Sequence, residues 1–444
     1  MADSLMADTT TSLPPYPSGA EPRVLFGSFD AERSWEARGG RSALPSLAPG
    51  PATAALGSAD ELLYQLCGPG DLLLTSREMA PELLADLRAH TGGGEVATVP
   101  GDPGTPVEAR LAAGAGAAAG AGIAVGGRTP VPYAVVEGTA AAVAALGAPA
   151  AVPELDAVHT VNAKTWSNAF CLAHGVEGAA RTAHGAEELE REAGLLGYPV
   201  VLKSAHGVAG RGSMVVGDPL RLGAVLRHQR ARGADGGGPL LVQRLYRRAA
   251  DFSAHFDLAR DGGMTGIAFR GMTNTGLSFA SSDTLDGAVE ARLRADRGYR
   301  RLLAALSEEI AAAGYWGPVC VDGLIATDGT LVPVLDVNAR LSMGRIALAL
   351  DAAARTRLTR LSFANLRCSG DPRDTYLLLR RLLGEAGLAV TGGGPGVRLL
   401  TAATLQAPLG RCYYAVQADT AGGIAELEGR LRALLAGLPG DGAA

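Results

Sequence analysis

The sequence predicts a chain of α/β and α+β type in three parts: an open, largely parallel α/β unit over residues 22–152, a larger α+β unit over 153–362, and a small α+β segment over 363–444. Three observations carry this reading. Short apolar runs alternate with polar or helix-forming stretches through the first 150 or so residues, as in strands joined by crossover helices. Beyond them the pattern changes to strand, glycine-rich turn, strand in "VVLKSAHGVAGRGSMVV", followed by hairpin-like pairs. At 444 residues and 47% hydrophobic, the chain is long enough for two or three cores.

Taken in order, residues 1–21 are rich in Ser, Thr and Pro and are expected to be a disordered lead-in. "RVLFGSF" at 23–29, "DLLLTS" at 71–76, "EVATVP" at 95–100 and "PYAVVEG" at 132–138 are the expected strands of the first unit. "GAGAAAGAG" at 114–122 has part of a dinucleotide-loop spacing, but no apolar strand precedes it, so it reads as linker or helix. In the second unit, "NAKTWSNAFCLAHGV" and "EELEREAGLLG" read as helices, and "PLLVQRLY" at 239–246 as a strand. A hairpin is expected around Asp261-Gly262, a helix at 299–314, and two strands, "GPVCVDGLIA" and "LVPVLDVNAR", joined by the turn at 327–330. The polar stretch from Gly271 to Asp283 reads as a loop that can contribute to an acceptor pocket. The last segment adds "VRLLTAATL", "RCYYAVQA" and a helix with Ile424, Leu427, Leu431 and Leu434 on one stripe.

Composition narrows the function classes. A net charge of -5 and a pI near 5.9 leave no basic footprint for nucleic acid. The five cysteines are scattered without a CxxC pair, which argues against a disulfide framework or a zinc site. "MADSLMADTT" lacks the charged and apolar regions of a secretory signal, and the Ala/Gly run near 111–127 is too weakly apolar for a membrane span. The expectation is a cytoplasmic protein that acts on small molecules.

Two constellations carry chemistry. Lys164 and Lys203 are the only lysines among 40 Lys plus Arg. Lys203 closes a strand and precedes a loop, His206 to Ser213, in which Gly207, Gly210 and Gly212 let backbone N–H groups approach phosphate oxygens. The loop is not a P-loop, and a glycine hairpin of this kind can act as a lid over a nucleotide. Downstream, Asp336 and Asn338 differ by two and leave the same strand face, and an antiparallel pairing across the turn brings Asp322 beside them. Three oxygen ligands on one face suit Mg2+, with Mn2+ as a substitute, completed by phosphate oxygens. Arg340 continues that face and can hold a phosphate or carboxylate by its fork.

These residues, in this order over roughly 155–360, resemble the ATP-grasp superfamily, with the first unit similar to the pre-ATP-grasp domain. The resemblance implies that Lys164, Lys203 and the 206–213 loop hold nucleotide phosphates, that Gln243, Arg244 and Leu245 form the adenine hinge, and that Asp251 accepts from the ribose. It places the metal on Asp322, Asp336 and Asn338. Position 336 is Asp where the family usually has Glu, and no arginine immediately precedes Asp322. The cation that steadies the transferred phosphate is therefore left among Arg270, Arg340 and Arg345. The implied activity is ADP-forming: a carboxylate takes the γ-phosphate of MgATP and an amine then displaces phosphate. "DFSAHF", "FRGMTNTG" and "DVNARLSMG" are similar to natural-product ligases that activate amino acids, some passing them to a carrier-protein thiol. A non-catalytic nucleotide binder and a kinase-like phosphoryl transfer are the other readings, and a homodimer through the first unit would be in keeping with the family. Ser204, Ser213 and Cys320 read as structural, as do His206 and His255, although a histidine could take a proton from the amine.

Overall fold

The computed structural model describes residues 21–39, 44, 55–114, 126–148, 151–207, 212–231 and 238–438. Most of the expected lead-in, most of the Ala/Gly run at 114–122, and Gly210 lie outside the described residues.

Four strands, β1 (Arg23–Phe26), β2 (Leu72–Thr75), β3 (Glu95–Thr98) and β4 (Thr129–Pro132), form a parallel sheet in the order β3-β2-β1-β4. The first three coincide with the apolar runs of the sequence. The fourth begins earlier than expected: Pro130 and Pro132 sit in β4, which is tolerable because β4 is an edge strand and needs fewer N–H donors. Tyr133 to Val136 follow it as buried backbone, tied down by bonds from Tyr133 N to Phe26 O and from Trp35 Nε1 to Val135 O.

A second four-stranded sheet is antiparallel, built from β5 (Arg181–Ala183), β6 (Val200–Ser204), β7 (Ser213–Val216) and β8 (Leu240–Arg244) in the order β5-β8-β6-β7. Its apolar face, including Val200, Leu202, Val216 and Val242, is covered by the helices Ala186–Leu196 and Pro219–Ala231.

The largest sheet has eight strands: β9 (Arg248–Leu258), β10 (Met264–Thr275), β11 (Ser278–Asp283), β12 (Gly317–Ala326), β13 (Leu331–Asn338), β14 (Leu358–Arg367), β15 (Gly396–Leu399) and β16 (Leu409–Ala418). Their order is β13-β12-β9-β10-β11-β14-β16-β15. The stretch expected to be a loop at 271–283 is instead the end of β10 and all of β11, an antiparallel hairpin. Both strands lie inside the sheet, between β9 and β14, and the polarity of their Thr, Ser and Asn residues hides the strand signal. The C-terminal α+β segment attaches by continuing this sheet through β14, β16 and β15. Helices Arg297–Ala312 and Met343–Ala353 bury Leu303, Leu306, Ile310, Ile346 and Leu350. No helix among the described residues is long and apolar enough to cross a membrane.

Candidate active site

The site begins with the pairing of β12 and β13. Their antiparallel register sets Asp322 opposite Asp336 and Cys320 opposite Asn338, so alternation along each strand brings all four side chains to one face. The pairing shifts register at Gly323, where an added Cβ would lie 2.5 Å from the Phe252 ring. Asn338 Nδ2 donates to Asp322 Oδ2 at 3.2 Å, and the Cys320 thiol lies 3.5 Å from Asp322 Oδ1.

Both lysines arrive at this face from the other side. Lys164 opens the helix Lys164–Ala173, its backbone N–H bonded to Ala205 O, and its ammonium pairs with Asp336. Lys203, on β6, donates to Leu335 O of β13 at 3.1 Å. The second and third sheets therefore close on a cavity of about 560 Å³, lined by Lys164, Lys203, Asp322, Asp336, Asn338 and Arg340 among others. Gly207, Ser213 and Asp251 line it too. Gly212 stands at φ +79°, and a Cβ there would lie 3.0 Å from the Gly207 Cα, so the tight return of this loop needs glycine.

The electrostatics are those of a site built for charged ligands. Burial, followed by the charge of Asp336, pushes the Asp322 carboxyl up to about 6. Burial also pushes Lys203 down to about 8, against the opposing pull of Asp336. Two carboxylates facing each other with an amide beside them suit a hard cation, which would relieve their repulsion. Among the described residues no group of three His, Cys, Asp or Glu side chains could hold a metal unaided; the set needs Asn338 and ligand oxygens.

Of the three candidate arginines, only Arg340 lines the cavity. It pairs with Glu32, donates to Tyr133 OH at 3.1 Å and reaches Asn338 Oδ1 at 3.3 Å. Burial alone would lower its pKa, but the Glu32 carboxylate outweighs that and keeps Arg340 firmly charged. Arg270 and Arg345 are corrected to structural roles. Arg270 is wholly buried, pairs with Asp351 and bonds Ser282 and Thr359. Arg345 is held by Asp257 at 2.7 Å.

The expected hinge residues lie at the end of β8. The Gln243 amide donates to Gly178 O, Leu245 N bonds Pro199 O, and the Arg244 side chain packs over Tyr246, so none of the three lines the cavity. Asp251 is held between Arg248 and Asn274. His206 stacks near His159 and burial pushes it down to about 4. His255 is fully buried between Ser253 and Ser342 and is pushed to about 3, so it is neutral and sequestered. The buried Cys320 thiol is raised well above its ordinary value, which disfavours a thiolate.

Sequence reasoning missed the contributions from outside the central unit. Phe29, Glu32 and Tyr133 come from the first unit, and Leu341 N donates to Tyr133 O, tying that unit to the end of β13. Phe363, Asn365, Arg411 and Tyr413 come from the C-terminal segment. Strand alternation in "RCYYAVQA" is a signal that could have put Arg411 and Tyr413 on one face, but nothing local says what that face meets.

Residues 168–352 match the family model described as carbamoyl-phosphate synthase L chain, ATP binding domain. The chain has the ATP-grasp fold. Solved structures with this fold align along nearly the whole chain. The N5-carboxyaminoimidazole synthase of Aspergillus clavatus, solved with ADP and 5-aminoimidazole ribonucleotide, is 12% identical with a TM-score of 0.51, over 94% of this chain and 99% of that one. Biotin carboxylase from Campylobacter jejuni, solved as a β-γ-ATP complex, is 14% identical with a TM-score of 0.51, over 92% and 90%. The biotin carboxylase domain of Hydrogenobacter thermophilus 2-oxoglutarate carboxylase, solved with MgADP, ADP and bicarbonate, is 16% identical with a TM-score of 0.52, over 93% and 89%. No curated protein sequence matches the chain significantly. At these identities the likeness speaks for the ATP-grasp fold; the chemistry has to be argued from the cavity.

Proposed function

We propose that the protein is an ATP-dependent, ADP-forming ligase that activates the carboxylate of an amino acid and joins it to an amine, in the biosynthesis of a natural product in the cytoplasm. The observation that carries this is the convergence, in one cavity, of Lys164, Lys203, the Asp322–Asp336–Asn338 face and Arg340. In this reading residues 153–362 form the nucleotide-binding unit, 22–152 closes one end of the cavity, and 363–444 closes the other. Small molecules are the partners this reading requires.

Lys164 and Lys203 would hold phosphate oxygens, and the backbone around Gly207 and Gly212 would cover them. Asp251 would accept from the ribose hydroxyls. Asp322, Asp336 and Asn338 would hold Mg2+. When bound, MgATP supplies a phosphoryl group for the carboxylate and the metal neutralises the charge that develops. Arg340 would orient the carboxylate: its fork reaches the same face as Asn338 while Glu32 and Tyr133 hold it. No protein nucleophile is needed, in keeping with the protonated Cys320 and the sequestered His255.

The test is ADP release from MgATP against a panel of free amino acids, with hydroxylamine present to intercept an acylphosphate as a hydroxamate. Hydroxamate formed with one amino acid supports the reading. ATP binding without ADP release across the panel overturns it.

A further inference from the structure

The cavity has a second end, formed by β14, β16 and the β10–β11 hairpin. Phe363 faces Tyr413 and Asn365 faces Arg411 in the β14–β16 register, so these four side chains share one face. All four line the cavity, whereas Cys412 between them is buried in the core. A flat sheet would place β13 and β16, six strand spacings apart, about 29 Å from each other. Their residues meet in one cavity because the sheet curls around it.

Arg411 is distinctive among the cations of this cavity. Lys164, Arg248 and Arg340 pair with Asp336, Asp251 and Glu32. Lys203 lies at the end where the glycine loop would receive phosphates. Arg411 has no carboxylate partner among the described residues: its guanidinium stacks over the Phe363 ring, 4.4 Å from the centroid, with Nε 3.3 Å from Asn365 Oδ1 and Nη1 3.5 Å from Tyr413 OH. Among the described residues two of its five N–H donors are engaged, both on neutral groups. The ring stack and Asn365 set the plane of the fork in advance, which limits the ordering cost of binding. The hairpin lines the same cavity with Met272, Leu277 and Phe279, alongside the polar Asn274, Ser278 and Ser282, and Phe363 and Tyr413 add two more rings.

We infer that this end is the acceptor subsite, and that the acceptor is an apolar α-amino acid whose own carboxylate is held by Arg411. This rests on the ligase reading above. The planar fork of Arg411, with no carboxylate partner among the described residues, matches a carboxylate two oxygens wide. The site thereby answers a problem any amino-acid ligase meets: the acceptor brings a second carboxylate that must be kept from activation. Held on β16, that carboxylate is kept away from the β13 face, and the apolar side chain takes the hairpin wall.

The experiment uses the full chain with MgADP and measures binding of L-phenylalanine, L-leucine and their carboxamides by calorimetry. The free acids are expected to bind roughly 10- to 100-fold more tightly than the amides, the range for one charge-assisted interaction. Arg411→Gln, which removes the charge but keeps a polar side chain beside Asn365, is expected to bring acid and amide within about twofold, and Arg411→Lys to restore part of the preference. Amides that bind as well as the acids, a preference that survives in Arg411→Gln, or no binding of either ligand would overturn the assignment. A turnover arm separates this from the ligase reading. With the donor identified by hydroxamate trapping, the rate ratio of phenylalanine to hydroxylamine as acceptor is expected to fall at least about 10-fold in Arg411→Gln. Equal losses with both acceptors would put the bound carboxylate on the donor and overturn the acceptor assignment. Absence of any hydroxamate in the wild type would sink the ligase reading, with the binding comparison still deciding Arg411.

Discussion

Replacing Asp322 by Asn is expected to stabilise the ligand-free protein while removing its activity. Burial and the facing charge of Asp336 move the Asp322 carboxyl from 3.8 to about 6, which corresponds to roughly 2–3 kcal/mol by which folding disfavours the ionised form. The sign follows from proton counting. Between 3.8 and about 6 the folded chain holds a proton that the unfolded chain has released, so stability falls as pH rises through that window and the cost is complete above it. Asn cannot ionise, and it keeps an acceptor oxygen for the Asn338 amide or the Cys320 thiol. The variant should therefore match the wild type near pH 4 and exceed it by roughly 2–3 kcal/mol near pH 7.5. Thermal and urea unfolding without nucleotide or divalent cation, across that range, measures the difference, and subtracting one protein from the other cancels groups such as the buried Asp60 and Glu61, which also titrate high. A less stable variant at neutral pH, or a gain that does not grow through the window, would refute the argument that Asp322 is kept for a ligand at a cost to the fold.

Lys203→Ala is expected to lower turnover by roughly 10²- to 10³-fold in a protein that still folds and, with the desolvated ammonium gone, is no less stable at neutral pH; loss of the fold would make Lys203 structural. Because Lys203 sits at about 8, its charge is lost as pH rises through that value, so KM for ATP should climb above about pH 8 and Lys203→Arg should flatten that limb, which steady-state kinetics will read. Asn338→Ala should raise the Mg2+ concentration needed for half-maximal rate roughly 10-fold or more, and an unaltered metal titration would remove Asn338 from the ligand set. Gly344→Ala puts a Cβ 2.5 Å from the His255 ring and should cost about 1–3 kcal/mol in unfolding experiments; a neutral result would mean that the buried His255 can move.

The sequence by itself determined the local devices of this protein. Two residues of spacing put Asp336 and Asn338 on one face, the turn at 327–330 set them across from Asp322, and a strand ending in Lys203 before a glycine loop marked the phosphate end. These are readable because strand alternation and hairpin pairing act over a few residues. The same rules left the 271–283 hairpin unseen, since its Thr, Ser and Gly residues carry little apolar alternation. What the tertiary structure decided is which charges meet. Arg270, Arg340 and Arg345 are equivalent as letters, and only packing shows Asp351 and Asp257 occupying two of them while Glu32, more than 300 positions away, holds the third at the cavity. Arg411 became part of the site in the same way, because an eight-stranded sheet curls far enough to face its own first strand. A side chain's role depends on the partner that neutralises it, and that partner is chosen by long-range packing of the chain, which no local pattern encodes.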